Sequence, residues 1–188
     1  MLYYSFLSGS YSTTQITKSK LIYPLSLSEV KRHLRLDNDF VVDDDYLMTL
    51  ISAATQMAEN YIGKDIAQTR NTLRIDDFSG DFVKVYEGNF ISVESTKDSN
   101  NTAIGTVKQT SKHDDYFQIE WTSSISSDPL TITFLTGFNE NETTELIKQA
   151  ILIKTADLYD SERSSYAFGG SKNTNVFETI LNYYKSLQ

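Results

Sequence analysis

The chain has no cysteine, which excludes disulfides and thiolate metal sites. Its two histidines, His33 and His113, lie far apart and share no ligand spacing. Basic charge is scarce: 17 Lys and Arg stand against 25 Asp and Glu, a net charge of −8. That balance argues against a face that grips phosphate backbones. It suits a soluble protein that keeps nucleic acid at a distance. No apolar run reaches the length of a membrane span. A glycine-rich phosphate loop, a G-x-S-x-G elbow and an HExxH helix are all missing. Gly169-Gly170 sits in a serine-rich stretch and reads as a flexible link. The adjacent acids Asp76-Asp77 and Asp114-Asp115 point to opposite faces of a strand, so they do not converge for acid–base work. His113 beside Asp114 reads as a turn residue. Neither an enzyme nor a cofactor is expected.

What is present is helix, then strand, then helix. The 188 residues are read as an N-terminal arm over 1–20 and a single domain over 21–188. The opening MLYYSFLSGSYSTT has no basic start and too short an apolar core for a signal peptide. It reads as an extended arm whose tyrosines either pack on a neighbouring subunit or fray. Glu142 to Arg163 is the most strongly helical stretch and is apolar nearly all round at Ala150-Ile151-Leu152-Ile153. Such a helix needs cover on several sides, so it is placed at the centre of the core. Asn141 or Thr143 serves as its cap.

Leu25 to Arg35 carries a complete helix start. Ser26 is the N-cap, Glu29 completes a capping box, and Leu25 reaches Val30 as a staple. Leu27, Val30 and Leu34 form its buried stripe, with Lys31, Arg32 and Arg35 on or near the other side. The acidic run Asp37 to Asp45 lacks the glycine and glutamate of a calcium loop. Asp43, Asp44 and Asp45 are therefore read as capping and polarising the next helix. That helix spans about Asp44 to Ile62 and is stopped by Gly63. Leu47, Leu50, Ile51, Ala54, Met57, Ala58, Tyr61 and Ile62 are its apolar face. Its small Ala53, Ala54 and Ala58 invite close approach of the helix around Ile151. A last helix near Asn175 presents Val176, Phe177, Ile180, Leu181, Tyr184 and Leu187.

Between Gln68 and Phe138 the pattern alternates in short runs separated by turn clusters. Six strands are expected near 71–78, 82–86, 90–96, 104–108, 116–121 and 130–135, with SSISSDP as the last loop. No ten-residue helical pattern interrupts them, which favours an antiparallel meander or small barrel. The fold class is α+β: about four helices with an antiparallel β insertion between the second and third. Twelve tyrosines and ten phenylalanines fit either a protein contact surface or an aromatic-rich β region.

The ordered segments resemble the head–tail connector (adaptor) proteins of tailed bacteriophages. PLSLSEVKRHLRLD at 24–37 is similar to the family's opening helix. DDDYLMTLISAATQMAENYIGKDI at 43–66 is similar to its second helix, with Ile-x-Ala-Ala and a closing Gly-Lys. LRIDDFSGD at 73–81 and LTITFLTGF at 130–138 resemble the first and last insertion strands. ELIKQAILIKTADLYDSER at 145–163 resembles the central helix, with its Tyr-x-x-x-Arg end at Tyr159 and Arg163. The arm before Gln15 and the polar stretch 98–115 depart from the pattern.

The resemblance implies a virion protein at the head–tail interface, present in the host cytoplasm during assembly. It implies a ring, usually twelve-fold, on the portal protein. That ring extends the DNA channel and receives stopper or tail proteins. Genomic DNA would pass through it without sequence-specific binding. On this expectation Phe177, Ile180, Leu181 and Tyr184 face the portal or another partner. Tyr61, Tyr159 and Arg163 meet the next subunit, and Asp43, Asp44 and Asp45 are channel or cap acids. A different class of function is a carbohydrate- or host-surface-binding module on the β insertion, with Trp121 and tyrosines as stacking residues.

Overall fold

A computed structural model describes residues 14–86, 88–112, 116–138, 145–163 and 176–185, with the backbone only at 109, 112 and 160–163. The expected start of the third helix at 141–144, the 164–174 loop, His113 and the Asp114-Asp115 pair lie outside the described residues. Contacts divide the chain into two compact units, Met1–Leu21 with Gln68–Gly137 and Ile22–Ala67 with Phe138–Gln188.

The helical unit contains α1 (Leu27–His33), α2 (Asp44–Ile62), α3 (Glu145–Arg163) and α4 (Val176–Leu181), which runs into a 3-10 turn at Asn182–Tyr184. α3 packs against α1, α2 and α4, which is the cover its apolar surface requires. Ala54 and Ala58 of α2 and Ala150 and Ile151 of α3 are all fully buried in one core, and the small side chains let the two helices approach. Each helix hides a threonine in this core. Thr55 Oγ1 donates to the Ile51 carbonyl at 2.7 Å, and Thr155 Oγ1 to the Ile151 carbonyl at 2.8 Å. Bonding back into the same helix satisfies a hydroxyl that apolar surroundings would otherwise penalise. Met57, expected on the apolar face of α2, is instead 42% exposed, and Leu146 of α3 is 51% exposed.

The β unit has seven strands among the described residues. The six expected ones are present as β2 (Gln68–Ile75), β3 (Phe78–Val85), β4 (Phe90–Lys97), β5 (Val107–Lys112), β6 (Phe117–Ser127) and β7 (Leu130–Thr136). The seventh, β1 (Thr14–Ile22), comes from the end of the arm and pairs with β2. The strands do not form a meander. They make a four-stranded sheet in the order β1-β2-β7-β4 and a three-stranded sheet in the order β3-β6-β5.

The reason is a corner. β2 pairs β7 down to Ile75↔Leu130, and β3 pairs β6 from Phe78↔Ser127 in the same register. One long antiparallel ribbon thus folds over at Asp76-Asp77 and Asp128-Pro129, and its two halves enter different sheets. Asp77 takes a left-handed φ of 53° there. Its N–H donates to Asp128 Oδ1 at 3.2 Å. The SSISS stretch, expected as loop, therefore belongs to β6. Alternation puts Leu73 and Ile75 of β2 and Leu130, Ile132 and Phe134 of β7 into the core. Phe117 of β6 joins the sheets, lying 4.4 Å from the Phe90 ring and 5.2 Å from Phe134. On β4, register shifts at 90–92 and 93–95 bury Phe90 and Thr96 and leave Ile91 and Val93 half-buried.

Candidate partner-binding surfaces of the helical unit

α1 is built as its sequence requires. Ser26 Oγ accepts the Glu29 N–H at 3.3 Å, and Glu29 Oε2 accepts the Ser26 N–H at 2.8 Å. The Ser26 hydroxyl also donates to Glu29 at 2.6 Å. These bonds hold the Glu29 carboxyl below its usual pKa of 4.5, helped by the charges of Lys148 and Arg32. At the other end, Arg35 N–H reaches the Arg32 carbonyl and Leu36 N–H the Lys31 carbonyl at 2.9 Å. This is a Schellman closure, with Arg35 at a φ of 58° where glycine is usual.

Lys31 does not lie on the solvent side of α1, as its helical position suggests. It is 3% exposed. Its ammonium meets Asp44 Oδ1 at 2.6 Å and donates to the Asn38 carbonyl at 3.1 Å. The amphipathic pattern misplaces it because the α1–α2 connection folds back over that side of the helix. A buried ammonium needs such partners. Asp43 is the N-cap residue of α2 but makes no capping bond. Its Oδ2 accepts the Tyr159 hydroxyl at 2.8 Å instead, so it ties α2 to α3. Of the three acids, Asp45 faces solvent.

The other expected residues fall around α4. Leu181 is fully buried, while Phe177, Ile180 and Tyr184 pack half-buried on the same core. The Tyr61 ring lies 6.5 Å from Phe177, and its hydroxyl donates to Asn182 Oδ1 at 2.7 Å. Lys154 sits 5.7 Å over Phe177 and Lys185 sits 5.3 Å over Tyr61. Tyr61 and the α4 residues are thus one assembly, whereas Tyr159 belongs to the Asp43 contact. Arg163 ends α3, and its side chain lies outside the described residues. Sequence reasoning missed Tyr183, which is 80% exposed beside this assembly. It also missed Glu59, whose Oε1 accepts the N–H groups of Ile66 and Ala67 at 2.9 Å each and so fixes the chain after α2.

No group of three metal-ligating side chains exists among the described residues. Asp76 pairs with Arg74 at 3.1 Å and serves the β corner with Asp77. Trp121 is 3% exposed and packs 5.7 Å from Phe78 in the β core. Its burial removes Trp121 as a stacking residue for sugars.

A family model described as phage gp6-like head-tail connector protein matches residues 24–149. A chain from the neck of an empty gene transfer agent (GTA) particle, computed with C6 symmetry, superposes with a TM-score of 0.71 at 14% identity, covering 93% of this chain and 96% of that one. A chain of the native GTA virion gives 0.68 at 16%, covering 92% and 96%. One from the native neck computed with C12 symmetry gives 0.65 at 14%, covering 93% and 96%. Among curated proteins, none matches.

Proposed function

Because the chain belongs to the phage gp6-like head-tail connector family, we propose that it forms a ring on the portal vertex, joins head to tail there and extends the DNA channel. The observation that carries this reading is likeness over nearly the whole length to chains from GTA particles, two of them from necks computed with six- and twelve-fold symmetry. The reading takes residues 21–188 as one connector domain and gives the protein a structural role in the virion, with no catalysis.

Charge supports it. The helical unit carries 15 acids against nine Lys and Arg, a net −6, while the β unit carries ten against eight, a net −2. An acidic wall repels the DNA backbone and lets it slide without sticking. In this reading Asp45 contributes to that field directly, whereas Asp43 and Asp44 hold α2 in place. The α4 assembly is the portal- or partner-facing patch: Leu181 anchors it, and Phe177, Ile180 and Tyr184 supply its aromatic and aliphatic contacts. Of the three residues expected near the next subunit, Tyr61 joins the α4 patch, Tyr159 is 5% exposed and ties α3 to Asp43 within the subunit, and Arg163 remains proposed there. Stopper or tail proteins bind the ring's distal face.

The genetic test is to withhold the protein from an otherwise complete phage assembly. The reading predicts DNA-packaged heads and free tails that do not join, restored by supplying the protein. Joined particles formed without it would overturn the reading.

A further inference from the structure

We propose that the α1–α2 connection of one copy seats in the cleft between α1 and α3 of the next copy around the ring. The inference rests on the ring reading above and adds to it the contact that closes the ring.

The connection presents two adjacent valines to solvent, Val41 at 65% and Val42 at 80% exposure. Isolated surface apolar residues are ordinary, but a projecting pair at the crest of a fixed loop is a contact surface in waiting. The loop is held in shape from within. Phe40 N–H donates to the Asp37 carbonyl at 3.1 Å, Asp44 N–H to the Val41 carbonyl at 3.3 Å, and Lys31 clamps the Asn38 carbonyl. Little ordering cost is left for binding. Exposed Asp37 and Asp39 precede the valines.

The cleft is complementary. It holds about 280 Å³ between α1 and α3, with Leu25 and Leu152 offering apolar surface and Arg32, His33, Lys148 and Gln149 offering donors. Its two acids, Glu29 and Glu145, partly offset the two cations. Glu29 is turned onto Ser26. The Glu145 side chain is 92% exposed and pairs with Lys148 at 3.8 Å, a solvent-screened pair that an incoming acid can replace. Valines fit the apolar part, and Asp37 and Asp39 fit Arg32 and Lys148.

The occupant is a second copy rather than the loop of the same chain. The Lys31 side of α1 already carries its own loop, whereas Arg32 and His33 project about 100° and 200° further round the helix. Knob and cleft are therefore different patches of one subunit. Such heterologous patches build rings, unlike a self-complementary patch, which stops at a dimer.

The absence of cysteine makes the test clean. Full-length Val42→Cys/Gln149→Cys protein is assembled on its portal ring, oxidised mildly and run on a non-reducing gel. The expected result is a ladder of cross-linked multimers, with none from either single variant. Portal-bound rings that show no ladder overturn the contact while leaving the ring reading intact, as do dimers from Val42→Cys alone or a cross-link to the portal. No ring on the portal by electron microscopy overturns the ring reading and this contact together. A charge exchange gives an independent readout. Arg32→Asp should lower the assembled fraction at least tenfold, and adding Asp39→Arg should restore it. A double variant no better than the single one overturns the pairing.

Discussion

Lys31 and Asp44 are joined by a 2.6 Å ion pair whose cationic side chain is only 4% exposed. The pair links α1 to the first turn of α2 and holds the connection between them. Lys31→Met removes the cation and leaves Asp44 and the Asn38 carbonyl without it. Removing one partner of a buried pair is costly, and the partial exposure of Asp44 reduces that cost. The expected loss is about 2 kcal/mol, read as a lower denaturant midpoint. Asp44→Asn should cost less than Lys31→Met, and the double variant less than the sum of the two.

Arg35 closes α1 in a left-handed conformation at a φ of 58°. A side chain there carries strain that glycine lacks. Arg35→Gly should raise stability by about 0.5 kcal/mol, the relief outweighing the added freedom of the unfolded chain. A rise in thermal midpoint is the check, and a fall contradicts the assignment.

Gly105 has a φ of +69°, and a Cβ there would stand 2.8 Å from Trp121 Cδ1 and 3.1 Å from Ile125 Cγ2. Gly105→Ala is therefore disfavoured both by its backbone and by a core ring that has little room to shift. A loss of about 2 kcal/mol is expected. Trp121 is the sole tryptophan, so its fluorescence follows unfolding of the β unit directly.

Acid should weaken the start of α1. The Glu29 carboxyl is held below its usual 4.5 by the Ser26 hydrogen bonds. A carboxyl lowered on folding stabilises the fold fully above its unfolded pKa. That contribution is lost as pH falls through the folded value. Wild-type stability should thus decline below about pH 4.5 more steeply than that of Ser26→Ala. At neutral pH the same variant should lose about 1 kcal/mol as its cap is removed. Equal slopes below pH 4.5 would contradict the capping box as the cause.

The helices are legible in the sequence because local signals act alone there. Ser26 with Glu29 starts α1, Gly63 at a φ of 74° stops α2, and the small residues of α2 identify α3 as its neighbour. Strand positions are legible too, since Phe117, Ile119 and Trp121 alternate into the core as do Leu130, Ile132 and Phe134. Sheet order is not, because it depends on the corner at Asp76-Asp77 and Asp128-Pro129, where a turn signal does not tell a hairpin from a fold-over. Lys31 is illegible for a related reason: its position on α1 is solvent-facing until a distant loop returns over it. Trp121 shows the converse error: its alternation with Phe117 and Ile119 already places it inward, so the stacking role runs against the strand pattern. Of the candidate contact residues, the α4 apolar set is visible as a stripe, but Tyr183 sits in the 3-10 turn beyond the helical period.

The central claim is tested most directly by co-sedimenting the purified protein with its cognate portal ring and imaging the pellet by electron microscopy. The account predicts added density below the portal with the symmetry of a closed ring, acidic helical surface toward the channel and α4 toward the portal. A protein that stays in the supernatant as a monomer, with the portal unchanged, would contradict it.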